Sequence, residues 1–253
     1  MKRTLDGTEL TDATTVVVGG TGNVGFFLVD GYLRAGARVI VPTRTEDKFS
    51  RLLTRLDKQH HGAVTPLYGD IGSPEGAADI ARQVREYGAP VDAVAASPAT
   101  WHQNQSMFQA GFADFKNTIE TRLYPHYLAA EALLPLLAPE GSYVTINGPV
   151  AFTAGPPHPG TGSIATASVA QNTLMRAFAA ETGGAPRIND VVMWAYLGPS
   201  GTRDGSKLRG EEVGDYVAAL STPAAAVVHG HTIQLRTSEQ VTAALAGRFD
   251  TAK

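Results

Sequence analysis

Short apolar, β-branched runs alternate with longer segments of helical periodicity along the whole chain. The runs predict strands at Thr14–Val18, Arg38–Val41, Val64–Leu67, Val91–Ala96, Ser142–Ile146, Ile188–Trp194 and Thr232–Leu235. Each is short and apolar, as a strand buried on both faces of a parallel sheet must be. Between them the 3.6-residue period predicts helices at about Val24–Ala35, Asp47–Gln59, Pro74–Tyr87, Phe112–Leu137, Ile164–Glu181 and Glu211–Leu220. Several are closed by Gly or Pro stop signals, as in AGA, YGAP, APEG and ETGG. Pro125 falls inside the longest helix, and its missing N–H predicts a kink there. Strand and helix alternate with no break in composition, which predicts one α/β domain over residues 1–253. Its architecture is a doubly wound parallel sheet of about seven strands with helices on both faces.

The first predicted strand runs into Gly19-Gly20-Thr21-Gly22-Asn23-Val24-Gly25 and then into the helical run FFLVDGYLRAG. Strand, glycine turn and helix therefore stand in the order that a dinucleotide-binding, Rossmann-like unit requires. Glycines at 19, 22 and 25 permit a tight turn, close backbone approach to a pyrophosphate and packing of helix on strand. The helix N-terminus adds free N–H donors for the anion. The second strand leads into Thr43-Arg44, nineteen residues beyond Gly25, at the tip where the adenosine ribose is expected. A carboxylate there hydrogen-bonds the ribose of NAD, whereas a guanidinium matches a 2′-phosphate, so Arg44 points to NADP. The other reading is a solvated Arg44, with Glu46 or Asp47 reaching back to the ribose.

Composition narrows the partners. Over 253 residues, 43% apolar content is enough for a sizeable core. The 21 Lys and Arg against 24 Asp and Glu leave a net charge of −3, which argues against nucleic acid as a partner. With no cysteine, a disulfide framework, a thiolate metal site and a Cys nucleophile are excluded. The opening MKRTLDGTEL has no apolar run behind its two positive charges, and no stretch approaches the ~18 apolar residues of a membrane span. A cytoplasmic protein without a membrane partner is expected. No HxH, HExxH or carboxylate cluster has metal-ligand spacing, so no metal is expected.

Taken in order, these motifs resemble the short-chain dehydrogenase/reductase family over nearly the whole chain. Gly69-Asp70-Ile71 resembles the family's acidic adenine contact, and Val91-Asp92-Ala93-Val94 its fourth strand, with Ser97 at the end. AAEALLPLLAPEGSYVTIN resembles its long helix and fifth strand, and Leu197-Gly198-Pro199-Ser200-Gly201-Thr202 the loop over the nicotinamide. The resemblance implies cofactor contacts from Gly19, Thr21, Gly22, Asn23, Val24, Gly25, Thr43, Arg44, Asp70, Ile71, Ser97, Pro199 and Thr202. It also implies a homodimer or homotetramer through the helices at Phe112–Leu137 and Ile164–Glu181, with Ala165, Ala167 and Ala170 as small residues for close packing.

The family's chemistry needs a Tyr-x-x-x-Lys pair plus a Ser, because a nearby ammonium lowers the phenol pKa. Here no tyrosine has a lysine four residues later. Register places Ile164 and Ser168 at those two positions, and Gly148 where the Ser is expected. Replacements come from loops and helix ends: Asn147 to polarise a carbonyl, His158 as acid or base, and Arg122, at the family's helical Asn, to hold an anion. Each also has a structural reading: a surface loop for His158, an exposed charge for Arg122. The expected function is an NADP(H)-dependent oxidoreductase of a small molecule without the usual proton donor. A lyase, isomerase or cyclase on the same scaffold, and a catalytically silent NADP sensor, remain as alternatives.

Overall fold

The structure, a computed structural model, describes residues 5–103 and 106–249. Its centre is a seven-stranded sheet in the order β3-β2-β1-β4-β5-β6-β9, with every neighbouring pair parallel. The strands are β1 (Thr14–Val18), β2 (Arg38–Thr43), β3 (Val64–Tyr68), β4 (Val91–Ala96), β5 (Leu137–Asn147), β6 (Arg187–Met193) and β9 (Thr232–Leu235). Between β6 and β9, β7 (Leu197–Gly198) and β8 (Gly201–Thr202) form a small antiparallel hairpin. The order reverses between β1 and β4, which opens a crevice at their carboxyl ends. All five residues of β1 are buried, as a central strand covered on both faces requires.

The helices are α1 (Asn23–Arg34), α2 (Glu46–Leu53), α3 (Pro74–Tyr87), α4 (Met107–Arg122), α5 (Tyr124–Leu133), α6 (Gly162–Thr182), α7 (Gly210–Leu220) and α8 (Ser238–Leu245). Two apolar clusters cover the sheet. One includes Leu28, Tyr32, Val144, Val213 and Val217, under α1 and α7. The other includes Ile80, Ala129, Leu133, Tyr143 and Met175, under α3, α5 and α6. Alternate side chains of β5 enter opposite clusters, as the two-residue period of a strand dictates.

Several boundaries depart from expectation. The helix expected over Phe112–Leu137 is two helices, with α4 ending at Arg122 and α5 starting at Tyr124. Pro125 therefore occupies the first turn of α5, where its missing N–H costs nothing, instead of kinking a continuous helix. Pro135 lies in a single 3₁₀ turn, after which Leu137 already belongs to β5. The α2 segment stops at Leu53 rather than Gln59, and Asp57 caps a separate 3₁₀ turn over Lys58–Ala63. The α8 helix was not expected, although Thr237 and Gln240 form a reciprocal capping box at its start. Ala165 and Ala167 face the interior of the subunit and not a partner. No helix among the described residues is long and apolar enough to cross a membrane.

Candidate active site

A cleft of about 770 Å³ opens at the carboxyl ends of β1, β2, β3 and β4. It is lined by Gly19, Thr21, Gly22 and Asn23 from the glycine turn, Thr43 and Arg44 from the end of β2, and Asp70 and Ile71 after β3. Ser97 and Thr100 after β4 and Pro199 from the hairpin complete its wall. Ten of the thirteen residues expected to contact a cofactor thus meet at one surface; Val24, Gly25 and Thr202 do not line it. Gly25 is buried in the first turn of α1, and Thr202 accepts a hydrogen bond from the Gly210 N–H at the start of α7.

The turn is shaped for a dinucleotide by the absence of side chains. Gly19 has φ +77°, and a Cβ there would lie 2.4 Å from the carbonyl oxygen of Ser97. A Cβ on Gly25 would lie 2.0 Å from the carbonyl oxygen of Gly19. The backbone can therefore pass this closely between β4 and α1 only with glycine at both positions. Gly22 is the N-cap of α1 without a side-chain cap, so the first N–H groups of the helix are left for an anion. These features fit a bound pyrophosphate.

Beyond the end of β2 the cleft carries Arg44, Lys48, Arg51 and Arg55. Arg51 pairs with Asp47, and Arg55 stacks on Phe26 with its guanidinium carbon 3.9 Å from the ring centre. Burial lowers the Arg55 pKa from its ordinary value. Among the described residues, the side chains of Arg44 and Lys48 make no hydrogen bond or ion pair. Lys48 was not anticipated as a site residue; its position one turn into α2, behind Arg44, was the available signal.

The three expected catalytic residues are not brought together. Asn147 is 3% exposed and directs its amide inward. Its Nδ2 donates to the Ser168 carbonyl at 2.9 Å and to Asp190 at 3.1 Å, while its Oδ1 accepts from the Gly148 N–H at 3.0 Å. Asp190 also accepts from Thr145, Gln171 and Asn172 at 2.7 to 3.2 Å. Burial raises the Asp190 pKa, and these hydrogen bonds oppose that rise. His158 is exposed, and its backbone carbonyl accepts from Thr161 before α6. Arg122 alone approaches the cleft, donating from Nη1 to the carbonyl of Thr100. Ile164 is 1% exposed and Ser168 equally buried, with its hydroxyl unpartnered.

Sequence reasoning missed His126. It is wholly buried with both ring nitrogens unpartnered, and burial together with the Arg122 charge pushes its pKa down to about 3. Its position four residues after Arg122 was the only signal. No group of three or more potential metal ligands occurs among the described residues.

A parallel sheet with a glycine turn at its reversal point defines a Rossmann-type nucleotide-binding domain. Residues 21–196 match the family model described as enoyl-(acyl carrier protein) reductase. The chain belongs to the short-chain dehydrogenase/reductase family. It is 28% identical over 197 residues to cis-1,2-dihydrobenzene-1,2-diol dehydrogenase of Pseudomonas putida, covering 75% of this chain and 68% of that protein. A short-chain dehydrogenase/reductase of Armillaria gallica is 29% identical over 131 residues, 51% of this chain and 40% of the relative. Among solved structures, a dehydrogenase/reductase from Sinorhizobium meliloti superposes with a TM-score of 0.80 at 19% identity, covering 91% of this chain and 96% of the other. An NADP complex of RhlG from Pseudomonas aeruginosa gives 0.77 at 19% identity, with 90% and 96% coverage.

Proposed function

We propose that the protein is an NADP(H)-dependent oxidoreductase of a small organic molecule that works without a tyrosine–lysine proton donor. The observation that carries this reading is the single cleft that unites the glycine turn, Arg44 and the Asp70–Ile71 and Ser97–Thr100 segments. The turn and the N-terminus of α1 hold the pyrophosphate through backbone N–H groups. Arg44 and Lys48 pair with the 2′-phosphate, Asp70 and Ile71 border the adenine, and Pro199 closes over the nicotinamide end. When bound, the nicotinamide supplies or accepts a hydride. One solved relative in fold is an NADP complex, and a sequence relative oxidises a dihydrodiol by its name; both agree with this assignment.

On the protein side, Ile164 and Ser168, both buried on α6, supply no group that titrates near neutrality. Proton exchange then falls to solvent or to the substrate itself, and the chain contributes orientation. Arg122 donates to the carbonyl of Thr100 without itself lining the cleft, Asn147 fixes the end of β5 against α6, and His158 stands outside the cleft. The lack of a tyrosine with a lysine four residues later also favours a second reading, a non-redox rearrangement in which the nucleotide is structural. Self-association belongs to the same proposal. Phe108, Phe112, Tyr127 and Val169 on α4, α5 and α6 are exposed, and a second copy would cover apolar side chains of this kind.

The test is absorbance at the nicotinamide band with the purified protein, NADPH and a panel of ketones, aldehydes and enones. NADP⁺ with cis-dihydrodiols forms the reverse arm, and products are also analysed for non-redox conversion. Turnover coupled to the nicotinamide signal supports the oxidoreductase. Conversion without that signal supports the rearrangement instead.

A further inference from the structure

Of the four cations that line the cleft, Arg55 is the one held in place by an aromatic ring. Its guanidinium carbon lies 3.9 Å from the ring centre of Phe26. Phe26 stands in the first turn of α1 and its N–H donates to the Gly22 carbonyl at 3.0 Å, so the ring and the glycine turn share one piece of backbone. The buried Phe27 ring braces it edge-on, with centroids 5.0 Å apart. A guanidinium stacked on a ring keeps its N–H donors at the rim, free for an acceptor. Among the described residues the Arg55 side chain makes no hydrogen bond or ion pair. Nearby acids are engaged elsewhere: Asp47 pairs with Arg51, Glu120 lies 3.6 Å from Lys116, and Asp70 accepts from the Gly72 N–H at 3.0 Å. Burial lowers the Arg55 pKa, with no acidic group opposing it. A partly desolvated cation without a counter-charge is costly, and an anion seated against it removes that cost.

The position of Arg55 narrows the anion. Lys48, Arg51, Leu52 and Arg55 recur at the helical spacing of three to four residues along α2 and the turn after it, and all line the cleft. Arg55 therefore reaches the cleft from the same segment as Lys48, on the ribose side, whereas the pyrophosphate has the N–H groups of the α1 N-terminus. We propose that Arg55, held on the face of Phe26, is a third cation for the 2′-phosphate of NADP(H), with Phe26 as the residue that positions it. This rests on the nucleotide reading of the cleft and adds a specificity-determining pair to Arg44 and Lys48. The stack fixes the fork before the ligand arrives, so little side-chain freedom is lost on binding. Arg44 is exposed and Arg55 only half-exposed, so added salt screens the Arg55 contact less.

The experiment is calorimetry with NADPH, NADH, adenosine 2′,5′-bisphosphate and AMP on the wild type and on Arg55→Gln, Arg55→Lys, Phe26→Leu and Phe26→Tyr. Arg55→Gln should weaken NADPH and the bisphosphate at least about tenfold, and NADH and AMP less than about twofold. Arg55→Lys, which keeps the charge without the fork, should fall between. Phe26→Leu should lose part of the same preference, and Phe26→Tyr, which keeps the ring, should retain it. At raised salt the loss in Arg55→Gln should shrink less than the loss in Arg44→Ala. Unchanged NADPH affinity in Arg55→Gln, with NADPH still preferred over NADH, overturns the role of Arg55 and leaves the cofactor reading intact. Equal losses for NADH and NADPH also overturn it, because Arg55 then acts on the fold or on the shared phosphates. A wild-type protein that binds NADPH no better than NADH overturns the 2′-phosphate reading and this proposal together. If Phe26→Leu fails to fold, the two Arg55 variants decide alone, with NADH binding as the control for an intact cleft.

Discussion

A Cβ on Gly25 would stand 2.0 Å from the carbonyl oxygen of Gly19 and 2.7 Å from the Cα of Gly20. Nothing flexible lines that gap, since every neighbour is backbone, so Gly25→Ala must push the turn away from α1. Overpacking of this kind costs about 1–3 kcal/mol, and urea denaturation should show that loss. Gly22 differs, with φ −84° and its nearest contact at 3.2 Å. Gly22→Ala is expected to cost under about 1 kcal/mol of stability yet to weaken NADPH binding by obstructing the pyrophosphate. Equal stability losses in the two variants would refute this division.

Arg44 and Lys48 lie together at the mouth of the cleft, and neither is engaged by another described side chain. If they hold the 2′-phosphate, Arg44→Ala should weaken NADPH by about 1.5–3 kcal/mol and leave NADH nearly unchanged. Lys48→Ala should act in the same direction with a smaller effect, and raising the salt concentration should shrink both. Calorimetry with the two cofactors checks it. Parallel losses for NADH and NADPH would mean that these cations act on the fold or on the pyrophosphate.

The amide of Asn147 joins the Ser168 carbonyl, Asp190 and the Gly148 N–H, so its removal strands buried groups on β5 and α6. Asn147→Ala should destabilise the protein by about 1–3 kcal/mol. Any loss of turnover should then follow the loss of folded protein. Should kcat fall a hundredfold in a variant that melts like the wild type, Asn147 would be a catalytic group after all.

His126 makes stability depend on acid. Its pKa moves from 6.5 when unfolded to about 3 when folded, so between those values the unfolded chain binds a proton that the native state refuses. Stability from this group is complete above about pH 6.5 and drains away as the pH falls toward 3. At pH 4.5 the loss should be about 2–3 kcal/mol, and His126→Leu should remove that part of the slope. Denaturation of both proteins at pH 7 and pH 4.5 decides it; identical slopes would place the histidine in contact with water.

The sheet was legible because buried parallel strands are written locally. Val16, Val17, Val94 and Val191 need no partner information to be read as interior. The glycine turn was legible for the same reason, since its constraint lies within seven adjacent residues. Pro125 was misread as a kink because one proline suits both a bent helix and the first turn of a new one, and only packing chooses. The inward turn of Asn147 was not legible, because Asp190 lies 43 residues away and meets it only through the pairing of β5 with β6. His126 escaped notice because a single histidine on an apolar helix carries no signal until its burial and its neighbour Arg122 are seen together.

The central proposal is a cleft that binds a nucleotide and selects for the 2′-phosphate. Calorimetric titration of the wild-type protein with NADPH and with NADH tests this most directly. One equivalent of NADPH per chain, bound at least about tenfold more tightly than NADH, is the result predicted from Arg44 and Lys48. Absence of binding by either nucleotide, or an equal or tighter affinity for NADH, would contradict it.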